Sequence, residues 1–262
     1  MAASRKMGLA KVVGTMLAVG LLVATLMADT GAASRYDNQI QTAVTQKLAA
    51  KREFSNVKAN VAEGIVTLTG TVDRFQAKLD AAKAARKAGH VQGVRNLLDV
   101  GGPNVPDAQL EQTLAKKLRY VRVGYDITFD YFALGVKDGV VTVEGQDRTG
   151  LGRDEALADI ANTPGVKDVI ENISLEPVSQ FDDGLRLRAM RVIYGDSVLS
   201  KYAIDPARPI RIIVDNGHLT LYGSVDSKMD KEVAGIRANG LFGAFSVDNK
   251  LQVEGKSGQQ GL

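Results

Sequence analysis

Apolar and polar residues alternate along three paired stretches of the chain. Before Gly64, Gly139 and Gly217 the apolar residues occupy every second position: Val57, Ala59, Val61; Phe132, Leu134, Val136; Ile210, Ile212, Val214. After these glycines come Val66 and Leu68, Val141 and Val143, Leu219 and Leu221. A period of two predicts strands with one buried and one exposed face. The residue before each glycine is Glu63, Asp138 or Asn216. Asp-Gly and Asn-Gly between alternating segments predict a two-residue hairpin turn, because both turn positions need positive φ. Thr67, Thr142 and Thr220 fall on the opposite face and read as β-branched strand residues, not catalytic hydroxyls.

Helical spacing flanks each hairpin. Upstream, Ile40, Val44 and Leu48 recur every four residues, as do Leu110, Leu114 and Leu118; the third stripe is looser, with Leu187, Met190 and Tyr194. Downstream the stripes are Phe75, Leu79, Ala82; Ala156, Leu157, Ile160; and Met229, Val233, Ile236. Such one-face stripes need a sheet to cover them. Each stretch closes on an alternating pair: Leu98 and Val100, Ile173 and Leu175, Leu251 and Val253.

These landmarks repeat. Gly-x-apolar-Thr-apolar-x-Gly occurs at Gly64 to Gly70, Gly139 to Gly145 and Gly217 to Gly223. Asn96, Asn172 and Asn249 follow the first glycines by 32, 33 and 32 residues. The extra residue before Asn172 predicts a bulge at the start of the second copy's last strand. The second glycine of each motif is expected to end its strand and turn the chain toward a helix. The fold class is α+β: three tandem α-β-β-α-β modules, each a three-stranded mixed sheet packed by two helices. Their bounds are 35–100, 105–177 and 180–254. Gly101 to Pro106 and Glu176 to Ser179 form short linkers, so the modules are expected to touch. The Gly/Gln-rich tail 255–262 is expected to be disordered.

The first 33 residues change the setting. Arg5, Lys6 and Lys11 precede Val12 to Met27, a run of 16 uncharged residues, and small residues 30–34 follow. This is the layout of a cleavable signal peptide, and residues 1–33 are assigned to it. An uncleaved inner-membrane anchor is the alternative; both send the remainder out of the cytoplasm. The absence of cysteine excludes disulfides, zinc–thiolate sites, thiol nucleophiles and a lipid-modified cysteine. Beyond residue 33 there are 30 basic and 29 acidic residues, which argues against a nucleic-acid partner.

With these elements in order, the chain resembles the BON domain family (bacterial OsmY and nodulation). The resemblance rests on Gly64 to Val72 with Val91 to Asn96, on Asp138 to Gly145 with Gly165 to Val169, and on Asp215 to Val225 with Gly243 to Asn249. Copy two departs from it with Gln146-Asp147 where the others have Thr71-Val72 and Ser224-Val225. Copies two and three also carry insertions before their first strands, Tyr120 to Phe132 and Ser197 to Pro209. The resemblance implies a periplasmic or envelope-associated binding protein, similar to osmotically inducible periplasmic proteins. It implies phospholipid binding and a part in envelope or osmotic stress, with no catalytic residues and no cofactor.

Charge separates the copies. Residues 34–100 carry 11 basic and 6 acidic residues, 101–178 carry 8 and 13, and 179–262 carry 11 and 10. In the first copy Arg74, Lys78, Lys83, Arg86 and Lys87 lie among Phe75, Leu79 and many alanines. That face suits anionic headgroups, to which each basic residue near the surface contributes about 1 kcal/mol. It equally suits the solvated side of a helix, or docking on the acidic second module. Tyr120, Tyr125, Phe129, Tyr131 and Phe132 concentrate aromatic surface in the second copy's insertion. Two readings stand for it: an interface, or packing against its own module. The third copy reads as structural. His90 and His218 have no counterparts in the other copies, and no triad, zinc motif, phosphate loop or dinucleotide fingerprint occurs. Two functions remain: a module recognising an anionic phospholipid surface, or a soluble periplasmic holdase or assembly factor for unfolded or outer-membrane proteins.

Overall fold

The computed structural model describes residues 34–119, 126–205 and 208–254. It is α+β, with three three-stranded mixed sheets, each packed by helices. In the first module α1 (Asp37–Ala49) precedes the hairpin β1 (Val57–Ala62) and β2 (Ile65–Val72). Next come α2 (Phe75–Arg86) and β3 (Gly93–Val100), and β2 is the central strand. The second module has α3 (Asp107–Arg119), a one-turn α4 (Asp126–Phe129), β4 (Tyr131–Lys137), β5 (Val140–Asp147), α5 (Leu151–Ala161) and β6 (Asp168–Leu175). The third has α6 (Gln180–Tyr194), a short α7 (Lys201–Ile204), β7 (Arg211–Asp215), β8 (His218–Tyr222), β9 (Ser224–Val225), α8 (Lys228–Asn239), β10 (Ser246–Asn249) and β11 (Gln252–Val253).

The hairpins have the geometry that the alternation predicts. β1 runs antiparallel to β2 from Val57↔Gly70 to Ala62↔Ile65, and Tyr131↔Gln146 and Arg211↔Tyr222 open the equivalent ladders. Both residues of each turn have positive φ: Glu63 and Gly64, Asp138 and Gly139, Asn216 and Gly217. Their amides lie outside the ladder and need acceptors. One carboxylate from the first turn of the preceding helix supplies both. Asp37 accepts from Glu63 N and Gly64 N at 2.9 and 2.8 Å. Asp107 accepts from Asp138 N and Gly139 N at 2.7 and 2.9 Å. Asp182 accepts from Asn216 N and Gly217 N at 3.1 and 2.8 Å. A carboxylate there is also favoured by the helix dipole.

Several expectations are corrected. Two of the second glycines do not end their strands, Gly70 lying inside β2 and Gly145 inside β5, whereas β8 does end just before Gly223. Gly70 and Gly145 are needed because a Cβ would collide with a carbonyl across the hairpin, Asn56 O just before β1 or Tyr131 O in β4. The predicted bulge is absent, since β6 pairs with β5 without interruption from Val140↔Asp168 to Asp147↔Leu175. Asn96 and Asn249 point inward, their side-chain amides donating to Lys78 O and Lys231 O. Gln92, Lys167 and Phe245 each donate to a hairpin glycine carbonyl. Counted from that anchor, the residue at their position in the second copy is Glu171, which pairs with Arg153. Asn172 is shifted by one, and a one-residue shift moves a strand side chain to the other face.

Three helix stripes hold only in part. On α2 the buried residues are Phe75, Ala77, Ala81, Ala82 and Ala85, so Phe75 and Ala82 of the expected stripe are buried while Leu79 is exposed. On α8 they are Asp230, Ala234 and Ala238, and Met229 and Ile236 are exposed. Alanine faces let these helices lie close to the sheet, so Leu79, Met229 and Ile236 are left outside. On α6 Leu185, Ala189 and Ile193 are buried, Met190 and Tyr194 of the expected stripe pack partly buried against the same core, and Leu187 is exposed.

The chain forms two compact units. One comprises the residues up to Val72 with Ala77–Asp99; the other comprises Asp73–Gln76 and everything from Val100 onward. Phe75 therefore belongs to the second unit and is buried there with Leu110, Leu114, Val141 and Val143. Within that unit the aromatic insertion joins modules two and three. Phe129 is buried in the core of the third module with Leu185, Ile193, Ile212 and Leu221. Tyr131 stacks on Tyr222 with ring centroids 3.9 Å apart, and Arg211 Nη1 donates to Asp130 O at 2.7 Å. The insertion is thus an interface between modules. Its Tyr120 and Tyr125, the leader 1–33 and the tail 255–262 lie outside the described residues.

Candidate functional site

The five basic residues singled out in the first copy do not form one patch. Lys83 and Arg86 are exposed and follow Leu79 at helical positions i+4 and i+7, so they share its face of α2, and exposed Lys87 follows directly after the helix ends. Leu79 is 44% exposed. Lys78 is half-buried on the flank, where its carbonyl receives Asn96 Nδ2. Arg74 precedes the helix and falls in the segment 73–76 of the second unit. Among the described residues, none of the five forms an ion pair with a carboxylate. The underside of the helix is the alanine face, which seats it on the sheet. What remains outward is a leucine with two uncompensated cations on its side and a third at the helix's end.

Charges at the joint of modules two and three are paired. Arg186 and Glu176 form a buried ion pair, and Arg186 Nη2 also donates to Val214 O. Asp183 bridges Arg186 Nη1 at 2.7 Å and Arg148 Nε at 3.2 Å. Burial pushes the Glu176 carboxyl up to about 7, against the pull of Arg186. Burial likewise lowers Arg211 and lifts the Tyr194 hydroxyl to about 12. A cleft of about 370 Å³ at this joint is lined by Leu118, Phe132, Leu134, Arg208, Arg211 and Glu254. Arg208 is already paired with Asp205, Asp226 and Glu254. The cleft holds structural charge.

The histidines occupy packing positions. His90, at positive φ, stacks on Tyr36 with centroids 3.9 Å apart. His218 Nδ1 lies 2.7 Å from Ser246 Oγ. Among the described residues neither ring is hydrogen-bonded to a carboxylate that would orient it as a base. Among the described residues there is no group of three His, Asp or Glu side chains able to hold a metal ion, and no helix long and apolar enough to cross a membrane.

The third module carries a surface that periodicity did not reveal. Phe242 is 92% exposed, Phe245 and Ile236 71% and Phe181 48%. Phe181 stacks on Phe245 at 5.8 Å. The signal in the sequence was two phenylalanines in a glycine-flanked loop, at positions where the other copies have none.

The family model described as the BON domain matches residues 36–102, 133–177 and 196–255. Among solved structures, the chain is similar to CdsD, a structural protein of the type III secretion system of Chlamydia trachomatis. That match has 14% identity and a TM-score of 0.22, covering 81% of this chain and 90% of the other. The C-terminal domain of CdsD matches with 15% identity and a TM-score of 0.24, covering 82% and 94%. The PrgH periplasmic domain matches with 10% identity and a TM-score of 0.20, covering 80% and 100%. No curated protein matches the chain.

Proposed function

This chain belongs to the BON domain family, a family of periplasmic binding domains, and on that premise we propose that it recognises anionic phospholipid surfaces in the cell envelope. The observation that carries the reading is the outer face of α2, where exposed Leu79 shares its side with Lys83 and Arg86 and Lys87 follows at the helix's end. Lysine and arginine stems lie along apolar surface while their heads reach phosphate. An amphipathic helix of this kind lies in the plane of the headgroups rather than across the bilayer. The basic excess of residues 34–100 works in the same direction. The protein would reach the envelope through the leader 1–33 and act there in maintenance under osmotic or envelope stress, without cofactor or chemistry.

The test is sedimentation with vesicles, using the chain without its first 33 residues, which keeps every described element. Phosphatidylglycerol vesicles are expected to carry it down and phosphatidylcholine vesicles to leave it in solution. Binding should weaken with salt and weaken in Lys83→Glu with Lys87→Glu. Equal recovery with both vesicles, or unchanged binding by the double variant, would overturn the assignment.

A further inference from the structure

The three copies act as internal controls for one another. Gln92, Lys167 and Phe245 donate to the carbonyls of Gly64, Gly139 and Gly217, so these positions correspond. Three residues earlier, Phe242 corresponds to Gly89 and Pro164. Asn96 and Asn249 bond to Lys78 O and Lys231 O, which sets Ile236 opposite Lys83. The same fold thus closes with glycine or proline in place of Phe242, glutamine or lysine in place of Phe245, and lysine in place of Ile236. The fold does not require the apolar residues of the third copy, and they remain largely exposed although Phe245 stacks on Phe181.

Phe242, Phe245 and Phe181 leave on the order of 400 Å² of aromatic surface open at one end of the third module. Monomers rarely expose a contiguous apolar patch beyond a few hundred Å² without a partner for it. The tip is backed by cations. The Arg188 guanidinium lies against Gly243, between Phe242 and Phe245 in sequence, and its buried Nε has no hydrogen-bond partner. Among the described residues neither Arg188 nor Arg191 pairs with a carboxylate, whereas the two aspartates at the start of α6 are engaged. Asp182 holds the turn and Asp183 is shared by Arg148 and Arg186, while Asp215 accepts from Asn216 Nδ2 beside the turn. A projecting aromatic ring with basic residues behind it has the chemistry of the headgroup layer, where aromatic side chains settle at the water interface and arginine meets phosphate.

We propose that the third module carries a second membrane contact, in which Phe242 and Phe245 enter the interfacial layer of an anionic phospholipid bilayer and Arg188 meets its phosphates. This rests on the membrane reading above and adds a contact that is hydrophobic where the α2 face is electrostatic. The two therefore differ in their response to salt, which screens the α2 face and spares the aromatic tip.

The chain contains no tryptophan, so Phe242→Trp installs a single reporter. Ile204→Trp is its control: Ile204 is 82% exposed on α7, whose Lys201 pairs with Asp230 in the first turn of α8, at the far end of that helix from Phe242. With phosphatidylethanolamine–phosphatidylglycerol vesicles the Phe242→Trp emission is expected to move to the blue and to be quenched by acyl-chain bromines, while Ile204→Trp stays at its solvent-exposed wavelength. Phe242→Ser with Phe245→Ser is expected to lower vesicle affinity about tenfold in high salt, with an unchanged circular dichroism spectrum. A protein that sediments while the Phe242→Trp emission stays put overturns the aromatic contact and leaves the α2 assignment standing. A blue shift that grows with protein concentration in the absence of vesicles gives the tip to a second copy and also overturns it. If no form sediments at any salt concentration, the membrane reading itself fails, and the aromatic contact with it.

Discussion

Asp37, Asp107 and Asp182 each stand three residues before the first buried apolar residue of a module, Ile40, Leu110 and Leu185. That Asp-x-x-apolar spacing was present in the sequence as a third repeat, and only the turn geometry shows its purpose. Hydrogen bonds to a charged acceptor contribute about 1.5–3 kcal/mol each, and a buried amide left without one costs a similar amount. Asp182 is fully buried, so Asp182→Ala is expected to destabilise the second unit by about 3 kcal/mol in urea titration. Asp37 is only half-buried, and water can replace it in part; Asp37→Ala should cost less than half as much. Equal losses at the two sites would remove burial as the cause.

At the level of elements, the insertion of module two completes the core of module three. Phe129→Ala removes a buried ring from that core and is expected to cost about 3–5 kcal/mol. Hydrogen exchange should show the loss in α6, β7 and β8 before it reaches β5 and β6. The linker adds a titratable group to the same joint. Glu176 has its carboxyl at about 7 in the fold against an ordinary 4.5, so its ionisation opposes folding. The stability it contributes is therefore full below about 4.5 and is lost as pH rises through about 7. Glu176→Gln should flatten that component: the difference in unfolding free energy between wild type and variant changes by about 2–4 kcal/mol between pH 4.5 and pH 8. A difference that stays constant with pH would show that Arg186 holds the carboxylate ionised throughout.

For the whole molecule, repetition in sequence does not mean three independent bodies. Modules two and three share one compact unit through Phe129, the Tyr131–Tyr222 stack and the Arg186–Glu176 pair. Calorimetry is expected to resolve two unfolding transitions, and residues 180–254 expressed alone, lacking Phe129, are expected not to fold cooperatively. Three transitions, or a stable isolated third module, would refute the shared core. The copies have also diverged in surface: the first presents a basic helix face, the second supplies the joint, and the third exposes phenylalanines.

Local chemistry was enough to read the hairpins, the first helices of two copies, the α-β-β-α-β order and the threefold repeat, because period-two alternation and Asn-Gly or Asp-Gly turns act within a few residues of themselves. The residues of the candidate α2 face were legible as charges, but their division was not. Which of Arg74, Lys78, Lys83, Arg86 and Lys87 share a face depends on where the helix begins and which side the alanines seat on the sheet. The second helices misled for the same reason, since a stripe of large apolar residues looks like a core until close packing shows that alanine fills the space. The carbonyls opposite Gly70 and Gly145, the displacement of Asn172 by Glu171, the passage of Phe129 into the neighbouring module and the exposure of Phe242 all involve residues distant in the chain. Such contacts are set by sheet register and by the packing of one module on the next, and only the tertiary structure decides them.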